Sequence, residues 1–354
     1  MARKHAGVRT TVNLRMGLLR SLVEPLSVAL DLDAFARGRP MTRIPVMKQE
    51  RFGKTDLRVS RIAFGSAPAG YMKMGAKRMG EILHPLLDAG VNVIDTAACY
   101  PDAEVMIGET VSGRRDEFVI VSKCGHCVVK GEGEEWSPAL IRASIERSLR
   151  RLKTDRVDVM LLHSCKLEVL ERGEAWRALQ DAQRAGLVRF IGYSGDNEEA
   201  AFAAGLDGIA VLEVSINIAD QCNIDLVLPE ARRQDLGVLS KRPIADAAWK
   251  SPQEQHRVFT EYAAEYHDRL KKMRIDPSSL GVDGPPREAW VELALRFTLW
   301  QPGAPVAIIG TTNPEHALAN LAVAEKGPLP EGTVRRIRDA FAQADPEGKW
   351  RGET

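Results

Sequence analysis

The sequence lacks the marks of a secreted, membrane-spanning or nucleic-acid-binding protein. Its five cysteines are an odd number, which argues against a disulfide framework and for a reducing compartment. The formal net charge is only +1, so neither nucleic acid nor an anionic membrane is an expected partner. No uninterrupted apolar run approaches the ~20 residues that a bilayer-spanning helix needs. The sequence therefore predicts a cytoplasmic protein.

A glycine-rich fingerprint for dinucleotides is also missing. The pattern G-x-G-x-x-G, which a doubly wound open sheet carries after its first strand, does not occur there. What is present, from about residue 51 onward, is a regular alternation of short β-rich runs with helical patterns. A length of 354 residues with 44% hydrophobic and 27% charged residues is ordinary for a globular enzyme with a large core.

The alternation predicts the fold. Eight runs are candidate strands, namely RIAFGS, VNVID, EFVIVSK, VDVMLLH, VRFIGYS, IAVLEVS, GVLSK and PVAIIG. Helix-like segments lie between them at 76–88, 138–153, 172–186, 223–235 and 287–300. Ahead of the strands, RFGKTDLRVS alternates around a turn-like Gly-Lys-Thr-Asp and predicts a hairpin. Eight strands with crossover helices favour a (β/α)8 TIM barrel in the α/β class, and a doubly wound sheet is the alternative.

We divide the chain into an N-terminal extension at 1–48, a barrel at 49–330, and a C-terminal helix and tail at 331–354. The extension is basic before Glu24 and only mildly amphipathic. Our first interpretation is a disordered tail or a misplaced start, with translation beginning at Met41 or Met47. A short docking helix is the second interpretation, and a targeting peptide is the third.

Four chemically active side chains stand at matching places in three successive units. Asp95, Lys123 and His163 end the second, third and fourth candidate strands, and Tyr100 follows the second. Taken singly, each residue has a non-catalytic interpretation. Asp95 would be a helix cap, Lys123 a lysine that extends its ammonium to solvent, and His163 a hydrogen-bonded core residue. In a barrel, however, the C-terminal strand ends meet at one mouth, where ionisable residues are typical of active sites. Together the four predict a proton donor for carbonyl chemistry.

The chain resembles the aldo-keto reductase superfamily from about residue 51 to about 325. The resemblance rests on the order and spacing of FGKTDLRVSRIAFG, GVNVIDTAACYPDAEVMIG, FVIVSKCG, RVDVMLLH, GLVRFIGYS and IIGTTNPEHALANL. It implies a barrel that binds NADPH or NADH without a Rossmann domain and reduces aldehydes or ketones. It also implies that Asp95, Tyr100, Lys123 and His163 form the catalytic tetrad.

Each tetrad residue has an expected role. Tyr100 is expected to donate a proton to the carbonyl oxygen as hydride arrives, and the nearby Lys123 ammonium to lower the pKa of that phenol. Asp95 is expected to keep Lys123 charged and oriented. His163 is expected to hydrogen-bond the substrate oxygen and hold the carbonyl in place.

The expected cofactor site covers Gly65, Ser66, Ser194, Glu213, Ser240, Lys241, Arg242, Gly310, Thr311, Thr312, Asn313, His316 and Asn320. Three of these positions depart from the family pattern. Glu213 stands in place of a glutamine that clamps the carboxamide, Lys241 in place of a stacking aromatic, and His316 in place of an arginine. Lys241 and Arg242 are either pyrophosphate contacts or a solvated pair at the rim. NADPH is the expected cofactor, and the missing charges leave NADH open.

Cys99, Cys124, Cys127 and Cys165 flank the tetrad, and two of them form a C-x-x-C. That spacing is compatible with a zinc, iron–sulfur or redox site. Strand alternation turns Cys124 away from the lumen and leaves Cys165 in the phase of His163, so one tetrahedral site is strained. We expect inert or merely oxidisable thiols and no metal.

Substrate identity lies in the variable loops. The segments after the third and seventh strands, GHCVVKGEGEEW and 246–286, are the candidate lids. Their polar composition favours a hydrophilic or sugar-like carbonyl. Two functions follow: an NAD(P)H-dependent carbonyl reductase, or a non-catalytic barrel that binds cofactor as a sensor or regulatory subunit. The intact tetrad favours the enzyme.

Overall fold

The computed structural model describes residues 46–353 except 252, 253, 256–258 and 304. Nearly all of the predicted N-terminal extension, with the docking-helix and targeting interpretations attached to it, lies outside the described residues. Within them, a short hairpin is followed by a regular alternation of strands and helices.

The strands confirm the predicted barrel. An antiparallel hairpin, β1 (Gln49–Arg51) and β2 (Arg58–Ser60), precedes a closed barrel of eight parallel strands. The barrel strands are β3 (Ile62–Gly65), β4 (Val93–Asp95), β5 (Val119–Cys124), β6 (Val157–His163), β7 (Val188–Ser194), β8 (Ile209–Ser215), β9 (Gly237–Lys241) and β10 (Val306–Gly310). β10 pairs with β3 and closes the ring. All eight coincide with the predicted runs, and the hairpin lies where its turn signal placed it.

Helices surround the barrel. They are α1 (Ala67–Tyr71), α2 (Ala76–Asp88), α3 (Ala103–Val111), α4 (Pro138–Leu152), α5 (Leu167–Arg172), α6 (Glu174–Arg184), α7 (Asn197–Ala203), α8 (Cys222–Leu226), α9 (Leu228–Arg233), α10 (Thr260–Met273), α11 (Pro286–Leu299), α12 (Pro314–Ala324) and α13 (Glu331–Ala344). The single helix predicted at 223–235 is wrong: α8 ends at Leu226 and α9 begins at Leu228, because Pro229, the second residue of α9, has no amide hydrogen with which to continue the first helix. Among the described helices, none is long and apolar enough to cross a bilayer.

Strand alternation builds two cores. Along β6, Met160 and Leu162 pack outward in the cluster shared with the helices, while Val159 and Leu161 point into the lumen. The lumen cluster also contains Phe52 from the hairpin segment. The hairpin therefore closes the N-terminal end of the barrel and leaves the C-terminal mouth for chemistry.

A network of paired charges lies at the closed end. Buried Asp158 accepts from Arg115 at 2.6 Å and from Arg189 at 3.0 Å, and its Oδ2 also accepts from the Ile120 amide at 2.9 Å. A polar cavity at this end is lined by these side chains. Because its buried carboxylate is satisfied by fixed partners, we interpret this network as structural.

Candidate active site

The four predicted catalytic residues meet at the C-terminal mouth. Asp95 and His163 are the last residues of β4 and β6, and Lys123 is the penultimate residue of β5. Tyr100 lies in the turn between β4 and α3, where its amide donates to the Ala97 carbonyl at 3.0 Å. The strand ends and one short turn thus bring the four side chains together.

Lys123 is the centre of the cluster. Its ammonium donates to Asp95 Oδ2 at 2.6 Å and to the Thr96 carbonyl at 3.0 Å, and Glu213 Oε2 lies 3.2 Å away. Burial lowers the pKa of Lys123, but Asp95 and Glu213 outweigh burial and raise it above its usual value. Burial raises the pKa of Asp95, and Glu213 adds to the rise against the opposing effect of Lys123. The lysine is therefore a fixed cation inside the barrel.

Tyr100 is a buried phenol beside this cation. Lys123 Nζ lies 5.4 Å from the Tyr100 ring centroid, and the ring meets His163 edge-on at 6.0 Å. Burial raises the pKa of Tyr100 more than Lys123 lowers it, so the net shift is upward. Lys123 thus acts on the phenol in the expected direction, but desolvation exceeds the attraction of the ammonium. At neutral pH Tyr100 carries its proton and can donate it.

His163 is neutral. Burial lowers its pKa well below the usual value, and the charge of Lys123 lowers it further. Nδ1 of His163 lies 3.4 Å from Cys99 Sγ, a contact that the sequence did not predict. Burial raises the pKa of Cys99, so the thiol keeps its proton. One ring nitrogen of His163 is thus engaged by a neighbour, and the other is available for a substrate oxygen.

Aromatic side chains flank the tetrad. The Tyr71 ring lies 5.8 Å from Tyr100 and 6.5 Å from Phe259. On the other side, His126 packs 5.2 Å from His163 and 4.9 Å from Trp136. The loop after β5, predicted as a lid, therefore supplies one wall of the mouth.

Strand register sets the next group beside the tetrad. His163 pairs with Ser194, and Ser194 with Glu213, so three inward side chains stand side by side across β6, β7 and β8. Ser194 Oγ donates to Glu213 Oε1 at 3.1 Å. Ser240, by contrast, donates to the Ile216 carbonyl at 2.9 Å. The register thus groups Ser194 and Glu213 with the tetrad.

The first and last barrel strands leave a place for a polar ligand. Gly65 pairs with Gly310 at the ends of β3 and β10, and a Cβ on Gly65 would come within 2.7 Å of Ile308 Cγ2. The buried Ser66 hydroxyl and the Thr96 hydroxyl have no hydrogen-bond partner among the described residues. Buried polar atoms without partners are rare, and at a mouth they indicate a ligand. These residues fit the polar amide of a nicotinamide.

Lys241 and Arg242 are not a solvated rim pair, so that alternative is wrong. Lys241 Nζ lies 2.9 Å from Asp196 Oδ2, a carboxylate that is fully buried. Arg242 donates to Ser215 Oγ at 2.9 Å and to the main-chain carbonyl of Glu353. Both cations thus have partners within the protein, and these contacts hold the two side chains away from solvent.

The C-terminal tail docks against the same strand ends. The Gly352 amide donates to Asn197 Oδ1 at 2.7 Å, and the Glu353 amide donates to Asp220 Oδ2 at 3.2 Å. Arg269 of α10 donates to Glu353 Oε1 at 2.7 Å. Sequence reasoning missed this docking, since the tail carries no pattern that names its partners.

The loop before α12 is ordered by its own side chains. Asn313 caps α12 by accepting from the Glu315 amide at 2.9 Å, and its amide nitrogen lies 3.2 Å from His316 Nε2. Thr311 Oγ1 accepts from the Asn313 amide at 3.1 Å, and Asn320 is buried about two turns into α12. The loop and the helix start form a preorganised polar corner.

Cations reach this corner from distant segments. Burial lowers the pKa of His316, and the charges of Arg287 and Lys250 lower it further against the opposing effect of Glu315 and Glu288. Arg78 of α2 donates to the Thr312 carbonyl at 3.3 Å. Sequence reasoning missed these three, because each lies far along the chain from the loop it approaches.

The cysteines are free thiols. Cys124 packs in the outer core, Cys165 is buried and Cys127 is exposed. Over the described ranges, no group of three or more His, Cys, Asp or Glu side chains is placed to hold a metal ion.

Comparison with known proteins identifies the family. The Aldo/keto reductase family matches residues 61–341. The chain is similar to "Uncharacterized oxidoreductase YqkF" of Bacillus subtilis, at 24% identity over 84% of this chain and 97% of that protein. It is also similar to L-galactose dehydrogenase of Arabidopsis thaliana, at 29% identity over 58% of this chain and 67% of that protein.

A solved structure shares the fold. The holo form of aldo-keto reductase AKR11C1 from Bacillus halodurans gives a TM-score of 0.70 at 24% identity, covering 83% of this chain and 96% of that one. With the family match over most of the chain, the assignment is direct. The protein belongs to the aldo/keto reductase family and is an oxidoreductase of that class.

Proposed function

We propose that the protein is an NADPH-dependent carbonyl reductase in which Tyr100 is the proton donor. The observation that carries this proposal is the buried Lys123–Asp95 pair at 2.6 Å, set beside a protonated phenol and a neutral imidazole. A structural ion pair alone has no need of Tyr100 and His163 at the same mouth. The combination serves a reaction in which an oxygen gains charge and then a proton.

Each residue of the site has a separate role in the proposed reaction. A bound reduced nicotinamide supplies the hydride for the carbonyl carbon. Tyr100 gives its proton to the carbonyl oxygen, and Lys123 stabilises the phenolate that remains. His163 donates a hydrogen bond to the same oxygen and holds the carbonyl in line. Asp95 fixes Lys123 in place. In the reverse direction the Tyr100 phenolate is the base.

A small polar or sugar-like aldehyde or ketone is the proposed substrate. The name of the plant relative, L-galactose dehydrogenase, supports this class. The rings of Tyr71 and Trp136 offer apolar faces beside a polar cluster, which suits a sugar-like molecule. A panel of carbonyl compounds, assayed by loss of nicotinamide absorbance, tests the proposal. Tight cofactor binding without turnover of any carbonyl in either direction would favour a sensor instead.

The proposed preference for NADPH rests on the cations around the α12 corner. Arg287 and Lys250 lower the pKa of His316 more than Glu315 and Glu288 raise it, so positive charge prevails where a 2′-phosphate would need it. We predict that Arg287→Ala with Lys250→Ala weakens NADPH binding by about tenfold, or ~1.4 kcal/mol, and leaves NADH binding within twofold. Fluorescence quenching with both cofactors measures this. Lys272→Ala, an exposed lysine of α10, is the control, and equal losses for the two cofactors would contradict the prediction.

A further inference from the structure

Glu213 places a second carboxylate on the catalytic lysine. Its Oε2 lies 3.2 Å from Lys123 Nζ, while Asp95 Oδ2 lies 2.6 Å from the same nitrogen. The side chains of Lys123, Asp95 and Glu213 are 0%, 5% and 3% exposed, so water screens these charges little. The proposed proton-transfer step uses Asp95 and has no role for Glu213.

Two carboxylates share one cation in this cluster, and the raised pKa of Asp95 shows that burial and their mutual repulsion favour taking up a proton. Within the described part of the chain, Lys123 is the only cation in ion-pair contact with either carboxylate. Oε2 of Glu213 also has no hydrogen-bond partner among the described residues. A buried charge without a full complement of partners is costly, and a ligand that carries positive charge would relieve that cost.

The position of Glu213 relative to the reacting atoms follows from the register. Glu213 stands beside Ser194, which stands beside His163. Hydride transfer needs the donor carbon within ~3–3.5 Å of a carbonyl carbon held by Tyr100 and His163. A nicotinamide bound for that transfer would therefore be held by this row of side chains, with Glu213 among its neighbours.

The ring changes charge in the reaction. It is neutral when reduced and cationic after the hydride, two electrons and a proton, has passed to the carbonyl carbon. We propose that Glu213 makes the site favour the oxidised nicotinamide over the reduced one. The inference rests on the proposed function. It implies that the bound reduced cofactor is a stronger hydride donor, and that the oxidised product leaves slowly.

The test compares dissociation constants for the oxidised and reduced forms of one cofactor, measured by quenching of tryptophan fluorescence. Glu213→Gln keeps the shape and removes the charge. We expect the preference for NADP⁺ over NADPH to fall by at least tenfold, which equals ~30 mV for a two-electron couple. Most of the change should be weaker binding of NADP⁺. Glu213→Asp, which keeps the charge, should retain most of the preference.

Glu104→Gln is the matched control. Glu104 is also a buried carboxylate, but it accepts from Ser122 Oγ at 2.8 Å on the outer face of β5. An unchanged ratio in Glu213→Gln, or an equal change in Glu104→Gln, overturns the inference. If Glu213→Gln fails to fold, Glu213→Asp decides the question. Loss of the preference for NADP⁺ in that variant would overturn the inference. Wild-type protein that binds neither form of either cofactor would instead contradict the proposed function.

Discussion

Replacing Tyr100 with phenylalanine is expected to slow carbonyl reduction by about 10²- to 10⁴-fold, the usual contribution of a positioned proton donor. The phenol hydroxyl is the only part removed, and the ring keeps its edge contact with His163 at 6.0 Å. Cofactor affinity should therefore stay within twofold. Steady-state kinetics should show the loss in kcat, while fluorescence titration shows unchanged cofactor binding.

Tyr193→Phe is the control for this substitution. Tyr193 is also a buried tyrosine, but it points out of the barrel and donates to the Cys165 carbonyl at 2.8 Å. Its loss should cost stability and leave kcat within a few-fold of the wild-type value. A Tyr100→Phe variant with a near-normal rate of reduction would remove Tyr100 from the mechanism.

The fold was predictable because its determinants are local. Runs such as VDVMLLH carry both the length and the bounding residues of a barrel strand, and period-two alternation already separates Met160 from Leu161. The hairpin followed from its turn residues. The division at α8 and α9 was missed because one proline inside an apolar helical pattern admits either a kink or a break.

The sequence predicts which residues form the site better than it predicts which of them contact one another. Glu213 and Lys123 were both named from the sequence, but their contact depends on the stagger of strands that no local pattern fixes. The partners of Arg242 lie in β8 and at the far end of the chain. The sign of the pKa shift at Tyr100 is a competition between burial and a cation, and only the geometry decides it.

The substitution Lys123→Met should have the second large effect, on stability as well as on activity. Methionine matches the length of the lysine stem but leaves Asp95 and Glu213 buried without their cation. Removing one partner of a buried ionic cluster typically costs ~3–5 kcal/mol, because the charges that remain are uncompensated. Urea unfolding should therefore show a loss of that order, and turnover should be lost with it.

A triple variant separates the two losses. Adding Asp95→Asn and Glu213→Gln to Lys123→Met removes both orphaned charges while keeping the shapes of the side chains. Replacement of a whole buried ionic group by neutral residues of similar volume is often nearly neutral for stability. We therefore expect the triple variant to recover most of the unfolding free energy and none of the turnover. If it stays as unstable as Lys123→Met alone, the cost lies in the packing of the lysine stem and not in the charge imbalance around it.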